Sequence, residues 1–363
     1  MTMPRIHGGT DALGVPRHDF STNSNACGPC PAALLAVQRA DARFYPDAAY
    51  TDLRAQLAAF HAVPAWRVVL AGSASEFIFR ITAWVARQAG AASAARVHLP
   101  PHAYGDYQQA ARAWGLLATA QVADAALVWA CEPSSPLGQA HTHWPPWLLT
   151  GNSSSCHSGL LAGQSEAALE LTSRGGEAPQ TVVLDLAYAP LRLAGQASLS
   201  PAQLDRVWQL FTPNKALGLA GVRAAYAIAP EHSREVASAL EGLAASWPVG
   251  VHGVAMLQAW ISPDVQSWLA NSLQILSDWK LRQIELLSNL GWCVLPSEAN
   301  FVCARPPVAL DCVSLRQAHG IKLRDASSCG LPGWYRLGVL GPPANHALGA
   351  SLLKSTCPGK TNV

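Results

Sequence analysis

The sequence predicts an α/β protein built on a mostly parallel sheet, and three observations carry that reading. Short apolar runs of strand type recur along the chain, helical stretches separate them, and several close in Gly, Ser or Pro turns. The first run, Val68-Val69-Leu70, ends in Ala-Gly-Ser, and Ser75-Glu76-Phe77-Ile78 then opens a helix towards Gln88. Ala126–Ala130 is a second buried strand, closed by Glu-Pro-Ser-Ser-Pro-Leu-Gly. Thr181–Asp185 and Ala224–Ile228 are a third and a fourth. The Ser/Gly-rich stretch 151–180 reads as loop and surface helix. From Val254 to Asn289 Leu and Trp recur at helical spacing, which predicts one long helix. After Gly291 come a strand at Asn300–Cys303, a helix at Val313–His319 and a strand at Trp334–Leu340.

A chain of 363 residues suggests about two domains. We divide it into an N-terminal arm (1–40), a large domain (41–280) and a smaller α+β domain (281–363). Half the residues are hydrophobic and 13% are charged, which suits a well-packed enzyme. No apolar run is long enough to span a bilayer, and the start lacks an apolar signal core. Net charge is +2 without a basic block, so nucleic-acid binding has no electrostatic support. The nine cysteines are odd in number, and a single pair, Cys27/Cys30, has C-x-x-C spacing. No second pair completes a zinc site, and His141 and His143 have no carboxylates nearby in sequence, so no metal is expected. The expected location is the cytoplasm, with reduced thiols.

Residues 210–226, LFTPNKALGLAGVRAAY, are the most informative. Lys215 follows a strand, and Arg223 lies eight residues on, beyond Gly218 and Gly221. Thirty residues upstream of the lysine, Asp185 ends a buried strand in D-L-A-Y, at the sheet edge where α/β proteins bind ligands. Further motifs follow in order: Y-P-D-x-x-Y-x-x-L-R from Tyr45, G-S-A-S-E from Gly72, H-A-Y-G-D-Y from His102, E-P-S-S-P-L-G from Glu132, A-N-F-V from Ala299 and the stretch Arg324–Arg336. Taken singly, each residue has an ordinary alternative, such as a helix cap for Asp185 or a solvated lysine for Lys215. As an ordered set they resemble the fold-type I pyridoxal phosphate (PLP) enzymes, the aspartate aminotransferase superfamily.

That resemblance implies the roles. Lys215 matches the lysine that bonds the cofactor aldehyde and then serves as acid and base at the substrate carbon. Asp185 matches the partner of the pyridine nitrogen, Tyr188 the donor to the phenolic oxygen, and Tyr104 the residue stacked on the ring. Ser73, Ala74 and Ser75 at a helix N-terminus match the phosphate cup, completed by Thr212 and Arg223. Tyr45 matches a tyrosine that reaches the neighbouring subunit's phosphate, which implies a homodimer. Two positions depart from the pattern. Ser135 stands where an asparagine is usual at the cofactor oxygen, and Leu186 stands where a glutamate is usual.

The N-terminal stretch bears on substrate. His7-Gly8-Gly9 and D-F-S-T-N-S-N-A-C-G-P-C-P are similar to segments of threonine-phosphate decarboxylases, enzymes of the cobalamin pathway and kin of histidinol-phosphate aminotransferases. Cys-Gly-Pro-Cys also spells a thioredoxin dithiol, yet no strand ending in Trp-Cys precedes it. We read the spelling as accidental and the loop as a substrate-side lid. The resemblance makes Arg336 the carboxylate fork, Arg324 a phosphate contact, and His7 and Asn25 further substrate contacts. It implies a PLP enzyme acting on a small, phosphorylated amino acid, a decarboxylase first. The alternatives are an aminotransferase of the histidinol-phosphate type and, because of Ser135, a catalytically silent member of the fold.

Overall fold

The computed structural model describes residues 8–89, 94–150 and 180–356. His7 and the Ser/Gly-rich stretch 151–179 lie outside them. The first strand, β1 (His18–Asp19), belongs to a small two-stranded sheet described below. Seven further strands form the main sheet: β2 (Val68–Ala71), β3 (Arg96–His98), β4 (Leu117–Thr119), β5 (Leu127–Cys131), β6 (Thr181–Asp185), β7 (Trp208–Phe211) and β8 (Ala225–Ile228), in the order β2-β8-β7-β6-β5-β3-β4. The pairs β3–β4, β3–β5, β5–β6 and β6–β7 are parallel. β8 runs antiparallel to both its neighbours. The expected α/β class with a mostly parallel sheet is therefore what the chain adopts.

Two corrections concern the elements. The run Val254–Asn289 is two helices, Val251–Trp260 and Pro263–Asn289. Ser262 ends the first by capping the second, its Oγ accepting from Val265 N–H at 3.4 Å, and Pro263 occupies the first turn, where it sacrifices no hydrogen bond. The three-residue strands β3 and β4 are too short to show a period in sequence and are not among the expected strands, whereas β7 is the strand that precedes Lys215.

The central strands β5 and β6 are buried at every position. That is why they read as unbroken apolar runs instead of alternating ones. Their neighbours supply the edge that matters. The C-terminal ends of β2, β5, β6 and β7, together with the start of the antiparallel β8, all point to one side of the sheet.

A second, antiparallel sheet runs β12 (Arg324–Asp325), β13 (Tyr335–Gly338), β10 (Phe301–Arg305), β9 (Cys293–Val294). The N-terminal segment is part of this region: β1 pairs in parallel with β11 (Ile321–Lys322), and Phe20 is fully buried among Trp292, Val302, Leu323 and Leu337.

Candidate active site

The sheet edge assembles the motif residues. Asp185 is the last residue of β6 and is almost fully buried, beside Cys131 on β5. Its Oδ1 accepts from the Ala187 N–H at 2.9 Å, and its Oδ2 accepts from the Tyr107 hydroxyl at 2.6 Å. Burial raises the affinity of this carboxylate for a proton, opposed by the Tyr107 bond, the Ala187 N–H and the charge of Lys215. Lys215 is half-buried, with Nζ 5.1 Å from the centroid of the Tyr188 ring. Tyr188 packs edge-on to Phe301 at 4.9 Å, and its hydroxyl lies 3.4 Å from the Asn23 amide nitrogen. Tyr104 caps the helix Gly105–Ala113, and its hydroxyl is 3.3 Å from Ser75 Oγ. Burial pushes Tyr104's phenol well above its ordinary value, so it stays protonated. The structure thus brings Lys215, Asp185, Tyr188, Tyr104 and Ser75 together from four separate segments.

The residues expected to hold a phosphate have their hydroxyls partly engaged within the chain. Ser73 caps the helix Ala74–Gln88, its Oγ accepting from Glu76 N–H at 3.1 Å. The first-turn N–H groups of Ala74 and Ser75 remain outside the helical ladder. Gly72 is required there, because a Cβ would meet the Pro248 carbonyl at 2.8 Å. Thr212 donates to Asn214 Oδ1 at 2.9 Å, and the Asn214 amide donates to the Ala220 and Val222 carbonyls, which braces the whole turn around Lys215. Arg223 is exposed and makes no ion pair among the described residues. Tyr45 is exposed as well and stacks on Trp247 at 4.5 Å.

The N-terminal loop does something other than the expected lid. Asn25 N–H donates to the Lys215 carbonyl at 2.8 Å, and Cys30 N–H donates to the Leu217 carbonyl at 2.8 Å. The Asn25 amide reaches Ala216 O (3.1 Å) and Ser272 Oγ (2.8 Å), while its Oδ1 accepts from Cys27 N–H. Both amide contacts of this buried side chain are thus made within the chain, so in this structure Asn25 braces the Lys215 turn. Asn23, two residues earlier, takes the position beside Tyr188, and its Oδ1 is buried without a partner. Gly218 adopts φ +68° and packs so tightly on the loop that a Cβ would lie 2.5 Å from the Gly28 carbonyl. The loop is a clamp on the Lys215 turn. Cys27 and Cys30 are free thiols within it, and burial pushes the Cys27 thiol up, away from the reactive thiolate.

On the opposite wall two arginines stand directly across the β12–β13 pairing, Arg324 against Arg336. Arg336 donates from Nη1 to Ser135 Oγ at 2.9 Å and from Nη2 to the Ser21 carbonyl at 2.9 Å, and its Nε is buried with no acceptor. Arg324 donates to Ser328 Oγ at 2.9 Å. Burial and then the neighbouring Arg336 charge lower Arg324's hold on its proton. The loop bearing Ser135 is locked from behind: buried Glu132 pairs with Arg192 at 2.7 Å, and Arg192 also pairs with Glu298. Motif reading gave no role to this lock or to Tyr107, because each acts through a partner distant in sequence, and it also passed over Asn214, whose partners Thr212, Ala220 and Val222 lie within eight residues.

Comparison with known proteins decides the family. The model for aminotransferase class I and II matches residues 181–349. An aromatic amino acid aminotransferase from Nocardia farcinica (strain IFM 10152) is 30% identical over 310 residues, covering 78% of this chain and 77% of that protein. The chain belongs to the class I and II aminotransferases. Among other relatives in this family, a histidinol-phosphate aminotransferase from Jannaschia sp. (strain CCS1) is 28% identical, covering 96% of this chain and 92% of that one. Two solved structures share the fold. The histidinol-phosphate aminotransferase from Clostridium acetobutylicum has a TM-score of 0.71 at 18% identity, covering 93% of this chain and 99% of that one. The L-threonine-O-3-phosphate decarboxylase from Porphyromonas gingivalis has a TM-score of 0.69 at 17% identity, covering 93% and 98%.

The family's cofactor is PLP, which supplies an aldehyde that takes up an amine and a ring that accepts electrons from the adjoining carbon. The residues present fit it: an amine at Lys215, a buried carboxylate at Asp185, phenols at Tyr104 and Tyr188, and helix-start N–H groups at Ala74 and Ser75. The orphaned Asn23 Oδ1 and Arg336 Nε add unmet hydrogen-bonding capacity beside these groups. The chain is a PLP-dependent enzyme acting on an amino-acid-like substrate. Among the described residues, no helix is long and apolar enough to cross a membrane, and no His/Cys/Asp/Glu group suits a metal.

Proposed function

We propose that this enzyme transaminates a small phosphorylated amine in the manner of the histidinol-phosphate aminotransferases, which the curated relatives support better than the decarboxylase expected from the N-terminal motif. The observation that carries the substrate class is the cross-strand pair Arg324/Arg336, with one guanidinium nitrogen buried and unmet. Like charges directly opposite one another are unfavourable unless an anion lies between or beside them. A transaminase takes a phosphate-bearing amine and a dicarboxylic acid in turn at one site, and two adjacent cations serve both. In this reading Arg336 forks a carboxylate and Arg324 holds the second anionic group. Lys215 Nζ moves the proton at the substrate carbon. Asp185 holds the ring nitrogen, Tyr188 the phenolic oxygen and Tyr104 the ring face. Ala74, Ser75, Thr212 and Arg223 hold the phosphate. Ser135 takes the place of the usual asparagine and turns its hydroxyl to Arg336. A homodimer follows if exposed Tyr45 completes a second subunit's cup.

A second reading, decarboxylation of an amino acid that carries its own phosphate, is favoured by one feature. The D-F-S-x-N loop, which resembles that of threonine-phosphate decarboxylases, seats Asn23 against Tyr188. One assay separates the two. PLP-loaded protein given histidinol phosphate should form glutamate only when 2-oxoglutarate is present. Carbon dioxide release from threonine phosphate without any oxo acid would overturn the transaminase reading in favour of the second.

A further inference from the structure

We infer that Tyr107 is a positioning residue for the reaction, fixing and polarising Asp185 through the bond from its hydroxyl. The inference rests on the cofactor assignment above and goes beyond it, because Tyr107 touches neither the lysine nor any substrate-side group among the described residues.

Tyr107 is fully buried, and its hydroxyl donates to Asp185 Oδ2 at 2.6 Å. With the Ala187 N–H on Oδ1, both carboxylate oxygens are anchored and the group has one orientation. The tyrosine is itself held. Its ring stacks face to face on Trp129 of β5, with centroids 4.5 Å apart and planes 9° from parallel. Its edge meets Tyr104 at 5.9 Å and 83°. Tyr104 and Tyr107 sit three apart at the start of the helix Gly105–Ala113, so one turn presents both to the site. The same turn therefore delivers one ring towards the cofactor face and a hydroxyl to the carboxylate beneath it.

The energetic need is visible. A carboxylate this deep loses its hydration, which favours the neutral acid, and a neutral acid would not hold a protonated ring nitrogen. The groups facing Asp185 are Tyr107, Cys131 and Lys215. Burial keeps both the Cys131 thiol and the Tyr107 phenol protonated, so Tyr107 serves as a donor and never as a competing anion. A short bond to a charged acceptor is among the stronger single contacts available there.

The test is Tyr107→Phe in the PLP-loaded enzyme, which keeps both ring contacts and removes the hydroxyl. Without the donor, negative charge concentrates on Asp185 and draws the ring-nitrogen proton towards it. The less positive ring then holds the proton at the Lys215–cofactor bond more tightly. The pH midpoint of the visible absorbance should rise by about half a unit or more. Turnover should fall about tenfold with little change in KM. In an Asp185→Asn background the same substitution should add almost nothing. If Tyr107→Phe folds poorly, 3-fluorotyrosine at position 107, a stronger donor of nearly the same shape, should shift the midpoint the other way. A variant that loses thermal stability while keeping the wild-type midpoint and turnover would overturn the inference and leave the cofactor assignment standing. Wild-type protein that takes up no PLP would overturn both.

Discussion

The two walls of the cleft are built on different terms. On the cofactor wall, Asp185, Ser73, Thr212 and Asn214 already have hydrogen-bond partners within the chain, and the Lys215 turn is clamped by the 23–30 loop. On the substrate wall, Arg336 Nε is buried without a partner and two arginines face each other across a strand pair, while Asn23 Oδ1, in the clamping loop between the walls, is also unmet. A polar atom buried without a partner costs about 1–3 kcal/mol, which a ligand that bonds to it recovers. In the proposed reading, the first wall is set in advance for the cofactor and the second keeps hydrogen-bonding capacity for the substrates.

This contrast can be broken from either side. The largest effect belongs to Lys215→Ala. It should abolish the borohydride-reducible cofactor linkage and lower turnover at least about 10⁴-fold. A reducible linkage surviving at another lysine would move the site. Next comes Asp185→Asn, which should leave PLP bound while lowering turnover by roughly 10²–10³-fold, measured at saturating substrate. Near-wild-type turnover would remove Asp185 from the chemistry. On the other wall, Arg336→Ala should spare cofactor absorbance and raise KM by roughly 10–100-fold, since a forked charged contact contributes about 1.5–3 kcal/mol. If it instead expels the cofactor, the two walls are not independent. The smallest effect should come from Cys27→Ser with Cys30→Ser. Activity should stay within about twofold, because the clamp runs through Asn25 and the Cys30 backbone rather than through sulfur. Loss of a dithiol reductase activity in that variant would restore the redox reading of the pair.

The cofactor wall was also the more legible in sequence. Asp185, Lys215 and Gly218 sit at strand ends and turns whose chemistry is local, so apolar runs and Gly-rich turns give them away. Helix capping hid the break at Ser262–Pro263 inside an otherwise continuous apolar period. What stayed hidden was whatever depends on a partner far along the chain. The Tyr107–Asp185 bond spans 78 residues and the Asn25–Ser272 bond spans 247. Arg192 joins Glu132 to Glu298, and nothing in the local sequence of any of the three marks it. Asn23 and Asn25 show the limit well. Both lie in one quoted motif and alternate along it, yet only the fold decides which one is used up by backbone and which stands beside Tyr188.

The central claim is that Lys215 carries the cofactor at the edge of β6 and β7. The direct measurement is mass spectrometry of peptides from PLP-loaded wild-type protein after borohydride reduction. The account predicts a single modified lysine, Lys215, in the peptide that contains Asn214 and Ala216. Modification at any other lysine, such as the buried Lys280 that here donates to the Ser297 and Ala299 carbonyls, or no modification at all, would contradict it.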